Sequence, residues 1–254
     1  MSSIRHEHLE EYRTARLTLT AGRGNILSIE VLGELAEAAR AAGGDPGTVA
    51  LLLDAEGDDF SFGVSVQEHL DESAGAMLAA VRGAAEALLS ADLPLLVAVR
   101  GRCLGGGLEL ALLGDRLVAT TDARFGAPEI RLGVFAPLAS LLLPRSLGPR
   151  PAFELLVGGR SLHAERAREL GLVSDLASDP VAAQLAWTRV HLAPHSPFAL
   201  RQATRAARAS WAPRFLEQLA GLERQYLDEL MPHPDPTEGL TAFLEKRPPY
   251  WERG

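Results

Sequence analysis

The chain has 254 residues, 47% of them hydrophobic, with a formal net charge of −8. Such a chain can bury one sizeable core without staples, and its acidic balance disfavours the basic footprint that nucleic-acid binding needs. Cys103 is the only cysteine, which excludes an intrachain disulfide, and no apolar run reaches the length of a membrane span.

The start MSSIRHEHLEEYR is charged and contains acids, unlike a secretory or transit peptide, so a cytoplasmic protein is expected. Arg16–Thr20 alternates like a strand and runs into the loop signal Ala21-Gly22-Arg23-Gly24. Ser28–Ala42 then reads as a helix, with Ser28 as N-cap and Gly43-Gly44 as the stop. Val49–Leu53 and Leu93–Val99 are short apolar runs that fit buried strands. Between them lie a polar loop, Asp54–Phe62, and an amphipathic helix, Ala74–Ser90.

Gly105–Leu113 reads as the next helix, Arg116–Ala119 as a strand, and Thr121-Asp122 as a turn. Leu138–Leu147, Pro151–Val157 and Leu162–Leu170 look helical, and Leu172–Leu176 looks like a strand. From Ala182 onward only helices are expected: Ala182–Leu192, Phe198–Ala209, Pro213–Leu230 and Thr237–Glu245. Strand-and-helix units followed by a helical tail predict an α/β core over residues 1–190 and a helical region over 191–254.

The stretch GRCLGGGLELALLGDRLVATTDARFGAPEIRLGVFAP carries the chemistry. The run Gly105-Gly106-Gly107 opens a helical pattern, and Glu109 then falls in otherwise buried sequence. A second carboxylate follows in Pro128-Glu129-Ile130. Ionised carboxylates are rarely buried without a partner. Two of them beside a tight backbone turn point to general acid–base chemistry next to main-chain N–H donors. The glycines fit neither GxxxxGK[ST] nor GxGxxG, because Leu110 stands where the last glycine of the latter would be. The seven histidines show no metal-binding spacing, and His69, two positions beyond Gln67, could approach a pocket but is expected at the surface. Cys103 reads as a buried apolar residue rather than a nucleophile.

AVRGRCLGGGLELALLGDRLVATTDARFGAPEIRLGVFAP resembles the signature region of the crotonase (enoyl-CoA hydratase/isomerase) superfamily. Further resemblances occur in the family's order: GRGNILS, DDFSFGVSVQEHL, LLVGGRSLHAERARELGLVSDL and EGLTAFLEKRPPYW. Together they cover nearly the whole chain. The resemblance implies a spiral of ββα units with a C-terminal α-helical trimerisation region, and assembly as trimers or hexamers. It implies an acyl-CoA thioester substrate and a hydro-lyase reaction with no separate cofactor, since the coenzyme is part of the substrate.

Carried over residue by residue, the resemblance gives the backbone N–H groups of Val64 and Gly106 to the thioester oxygen. It gives Glu109 and Glu129 one shared water, leaving open which is acid and which is base. Arg23, Gly24 and Ile26 would cradle the nucleotide. Phe62, Gly63, Ser65, Gly105 and Pro128 would lie along the pantetheine and thioester. Phe243 and Lys246 would reach the coenzyme of a neighbouring subunit. Most relatives have a small residue at Phe62, an aspartate at Ser65 and a glycine-rich run at Phe135-Ala136-Pro137-Leu138. These departures support a flat cyclic acyl group against an aromatic wall that includes Phe62 and Phe135, and the resemblance implies that this group is a conjugated dienoyl thioester. Ordinary 2-enoyl-CoA hydration, double-bond isomerisation and non-catalytic acyl-CoA binding remain as alternatives.

Overall fold

The computed structural model describes residues 2–70 and 73–252, so Met1 and the last two residues of the expected helical region lie outside it. Strands β1 (Ile4–Leu9), β2 (Thr14–Leu19) and β3 (Ala50–Ala55) open the larger sheet, with helix α1 (Ile29–Gly44) between β2 and β3. Helix α2 (Ser73–Ser90) leads to β4 (Leu95–Val99), a three-residue β5 (Arg102–Leu104) and the short helix α3 (Gly106–Ala111). Strands β6 (Arg116–Ala119) and β7 (Arg124–Gly126) precede a 3-10 turn, Pro128–Leu132. Helices α4 (Pro137–Leu147) and α5 (Pro149–Leu156) lead to β8 (Ser161–His163), α6 (Ala164–Glu169) and β9 (Asp175–Leu176). The tail is α7 (Pro180–His191), α8 (Pro197–Ala209), α9 (Ala212–Arg224) and α10 (Pro234–Leu244), with a π-helical segment, Gln225–Leu230, after α9.

Six strands form one sheet in the order β1-β2-β3-β4-β6-β9, parallel except for β1 against β2. The sequences of β3 (ALLLDA) and β4 (LLVAV) are nearly continuous apolar runs because both faces of a parallel sheet are covered. Three strands form a second sheet, β5-β7-β8. Isolated bridges Leu27–Val64 and Ser61–Cys103 extend this second layer through the loops. Each turn of the chain therefore places one strand in the large sheet, a shorter extended piece in the small layer, and then a helix. The small layer brings Val64, Leu104 and Gly126 to one edge, and the candidate site grows from that edge.

Local signals account for most elements. The Ser28 side chain accepts from the Val31 N–H at 3.2 Å and caps α1. The helix continues through Gly43 and Gly44 rather than stopping before them. A Cβ on Gly43 would lie 3.1 Å from Ala91 Cα, so that glycine serves close packing against the end of α2. Asp179 and Ser196 cap α7 and α8.

The tail is pinned by buried polar groups. Gln184 donates to the Val97 and Arg116 carbonyls, holding α7 on the sheet. Arg208, only 4% exposed, donates to the Leu89 and Leu93 carbonyls and to Asp115. A buried guanidinium is tolerated because each of its three nitrogens donates to an acceptor.

Four expectations are corrected. β1 was not anticipated because IRHEHL is an exposed edge strand without apolar alternation, and the small sheet because three-residue strands carry too few side chains to show a period. The helix expected over Leu162–Leu170 begins instead as strand β8 and turns helical at Ala164. The strand expected over Leu172–Leu176 contracts to Asp175–Leu176. The helix expected over Pro213–Leu230 is α-helical only to Arg224 and then widens into π geometry.

Candidate active site

The second loop and the GGG turn meet at glycines. Gly63 has φ +105° and Gly105 has φ +52°, values an L side chain rarely adopts. A Cβ on Gly106 would stand 2.4 Å from Val64 Cγ2 and 3.2 Å from the Val64 nitrogen, so only glycine lets these two backbones approach. Gly106 is the first residue of α3, and its N–H has no intrahelical acceptor. Val64 pairs with Leu27 through its neighbours: Leu27 N–H donates to Gly63 O, and Ser65 N–H donates to Leu27 O. The amides of Val64 and Gly106 make no hydrogen bond among the described residues.

Glu109, one turn into α3, is 4% exposed. Its Oε1 accepts from the Ala139 N–H at 3.0 Å, at the N-terminus of α4, where orphan amides favour an anion. Burial nevertheless dominates and pushes the carboxyl up to about 7. Glu129 sits on the Pro128–Leu132 turn, and its enclosed Oε2 has no hydrogen-bond partner among the described residues. Burial, and then the charge of Glu109, push it up to about 8. Two neighbouring carboxyls in an enclosed site resist double ionisation and titrate as a pair.

Both glutamates open on one cavity of about 410 Å³, within the range of small-molecule sites. Of the residues named from sequence, the cavity is lined by Phe62, Gly63, Val64, Gly105 and Gly106 on one side. Glu109, Pro128, Glu129, Phe135 and Phe243 complete that set. Phe135 meets Tyr226 edge-on at 5.3 Å between ring centroids. Phe62 packs on Gly24 (a Cβ there would lie 2.6 Å from its ring), and the Arg102 guanidinium covers the ring at 4.1 Å.

Arg23, Gly24, Ile26, Ser65 and Lys246 stand outside the cavity lining. Arg23 and Lys246 are exposed and form no ion pair among the described residues. The Ser65 carbonyl lies 2.8 Å from His69 Nδ1.

His69 corrects a sequence expectation. It lines the cavity rather than the surface, and burial lowers its proton affinity. Tyr226 and Glu223 also line the cavity and were not singled out. Their spacing, i and i+3, was visible, but a long amphipathic pattern hides which apolar-face residues reach a site. Cys103 is buried as expected, and burial raises its thiol well above the ordinary value. Among the described residues no group of three or more His, Cys, Asp or Glu could hold a metal, and no helix is long and apolar enough to cross a membrane.

The C-terminal segment forms a roof over the cavity. A Cβ on Gly239 in α10 would lie 2.3 Å from the Leu132 carbonyl oxygen, so α10 rests backbone-to-backbone on the turn that carries Glu129. Arg247 clamps Glu238 with two bonds of 2.6 and 2.8 Å, and the Tyr250 N–H donates to the same carboxylate.

The profile of the Enoyl-CoA hydratase/isomerase family matches residues 13–254. The chain is 46% identical to a cyclohexa-1,5-dienecarbonyl-CoA hydratase of Thauera aromatica, over 93% of this chain and 92% of that one. It is 36% identical to a 2,3-dehydroadipyl-CoA hydratase of Escherichia coli (strain K12), over 89% of each. The crystal structure of an enoyl-CoA hydratase/isomerase from Pseudoalteromonas atlantica T6c superposes with a TM-score of 0.85 at 29% identity, covering 98% of this chain and all of that one. The chain belongs to the enoyl-CoA hydratase/isomerase family and has the crotonase fold. It is an enzyme of the hydro-lyase class, with an enoyl-CoA hydratase type of function.

Proposed function

We propose that the enzyme adds water to a conjugated cyclic dienoyl thioester, converting cyclohexa-1,5-diene-1-carbonyl-CoA to 6-hydroxycyclohex-1-ene-1-carbonyl-CoA. The observation that carries the chemistry is two enclosed carboxyls, Glu109 and Glu129, sharing one cavity with the unengaged N–H groups of Val64 and Gly106. The amides receive the thioester oxygen as it gains charge in the enolate-like transition state. Each such donor is worth a factor of about 100–1,000 in rate.

One ionised glutamate takes a proton from water as its oxygen bonds to carbon. The other, protonated, delivers a proton to the far end of the conjugated system. The oxygen and one hydrogen of water end on the ring, and the second proton remains on the carboxyl pair. No electrons are exchanged, so hydration itself needs no redox partner.

The acyl group is inferred from the 46% identity to the Thauera aromatica enzyme and from the aromatic faces of Phe62 and Phe135 on the cavity. Arg23, Gly24 and Ile26 are assigned to the nucleotide, with Gly63, Ser65, Gly105 and Pro128 along the pantetheine and thioester. Exposed Arg23 and Lys246 are cations suited to phosphate. Phe243, which lines the cavity, and Lys246 are assigned to the coenzyme of a neighbouring subunit, and the assembly is read as a trimer or a dimer of trimers.

A second reading, ordinary 2-enoyl-CoA hydration, is favoured by the 36% identity to the 2,3-dehydroadipyl-CoA hydratase. Steady-state rates on cyclohexa-1,5-diene-1-carbonyl-CoA and crotonyl-CoA decide between them. The cyclic reading expects the higher kcat/KM on the dienoyl thioester, and faster turnover of crotonyl-CoA overturns it. Product formed in labelled water carries solvent oxygen if the reaction is hydration and none if it is isomerisation.

A further inference from the structure

The Tyr226 side chain is 1% exposed, yet its hydroxyl has no hydrogen-bond partner among the described residues. A buried hydroxyl left unpaired is destabilising. The ring is fixed edge-on to Phe135, and the residue lies in the π-helical segment Gln225–Leu230, a geometry that recurs at functional sites. Glu129 lines the same cavity, and its Oε2 is equally unpaired. The phenol is close enough for the charges of Glu129 and then Glu109 to add to the effect of burial in raising its proton affinity. Yet Tyr226 and Glu129 are not bonded to each other.

Two unpaired polar atoms on residues that line one cavity can be satisfied together by one oxygen between them. A phenol can donate to that oxygen while a carboxylate accepts from it. Glu223, one turn earlier, differs because its other carboxylate oxygen lies 3.5 Å from Arg82.

We propose that Tyr226 is a positioning residue for the oxygen that is added: its hydroxyl bonds the attacking water and then the new alcohol, opposite Glu129. This rests on the hydration reading above and extends it with a third contact to the reacting oxygen. The contact is specific to ligands that carry that oxygen. Hydroxyl-free thioesters fill the same pocket without it.

The test is Tyr226→Phe, which keeps the ring against Phe135 and removes only the hydroxyl. Forward kcat on cyclohexa-1,5-diene-1-carbonyl-CoA is expected to fall about ten- to a hundredfold, as loss of a hydrogen bond to a charged network implies. In the reverse direction, kcat/KM for 6-hydroxycyclohex-1-ene-1-carbonyl-CoA falls with it. The inhibition constant of cyclohexanecarbonyl-CoA, which is saturated and has no hydroxyl, stays within about twofold of wild type, a separation of bound states that only a ligand-specific contact yields.

A kcat within twofold of wild type overturns the proposal. So does a parallel loss in kcat and in cyclohexanecarbonyl-CoA binding, which would make Tyr226 only a wall. If wild type turns over crotonyl-CoA but not the dienoyl thioester, the cyclic reading fails by itself. The same comparison then tests Tyr226 with crotonyl-CoA as substrate and butyryl-CoA as the inert ligand.

Discussion

Glu129 Oε1 lies against the backbone of Gly105: a Cβ at that glycine would stand 2.6 Å from the carboxylate oxygen. The residue that opens the helix of one glutamate is thus the floor beneath the other. Gly105 serves two demands at once, a left-handed backbone and room for a carboxyl. Substitution there moves Glu129 as well as the turn.

Removing either carboxyl should stop chemistry and spare binding. Glu109→Gln and Glu129→Gln keep the shape of the side chain and remove its proton traffic. Each is expected to lower kcat by about 10²–10⁴ with the affinity for acyl-CoA nearly unchanged. Stopped-flow binding alongside steady-state rates checks this, and full turnover in either variant would refute the two-carboxylate mechanism.

The pH profile follows from the pair. Burial holds Glu109 near about 7 and Glu129 near about 8, so between those values the two share one proton. A base needs the ionised form and an acid the protonated form, so kcat/KM is expected to peak in that interval. It falls on the acid side as both carboxyls protonate and on the alkaline side as both ionise. A profile flat across neutral pH contradicts the assignment.

Stability should fall across the acid-to-neutral range in which activity rises. The carboxyl of Glu129 is raised from 4.5 in the unfolded chain to about 8 in the folded one. Over that window the folded state keeps a proton that the unfolded state releases. Stability is therefore fully present below pH 4.5 and declines as pH rises toward 8. Glu129→Gln never ionises and escapes the decline. A gain of about 1–2 kcal/mol, or roughly 2–8 °C in Tm, is expected at the alkaline end of the window and none at its acid end. Thermal melts at the two pH values measure it.

Gly106→Ala tests the amide pair. The added methyl meets Val64 Cγ2 at 2.4 Å and must push the two N–H groups apart. Turnover is expected to drop by a factor of about 100–1,000, the worth of one misplaced donor, while circular dichroism retains the wild-type secondary structure. Unchanged turnover would remove Gly106 from the oxyanion assignment.

Much of the site was legible because its signals break local rules. Glu109 interrupts an apolar helix, and a glycine run precedes it, so the conflict is visible in a few residues. The central strands β3 and β4 were visible as apolar runs. The small sheet was not, since its pieces span only three residues each and owe their pairing to the neighbouring turn of the spiral. Tyr226 and His69 were hidden for a related reason. Nothing local distinguishes a side chain that points into a cavity from one that fills a core or faces solvent. Only the docking of α9 against α2, and of α10 on the Glu129 turn, gives those two residues their place.

That docking makes catalysis a sensitive reporter of folding. The roof is held by the Gly239–Leu132 contact and by the exposed Arg247–Glu238 clamp rather than by strand pairing. Segments of this kind open with less free energy than core strands. Lifting it admits solvent to the space between the glutamates and relaxes the burial that keeps their protons. The enzyme can therefore fall silent in mild denaturant while its sheets are still whole.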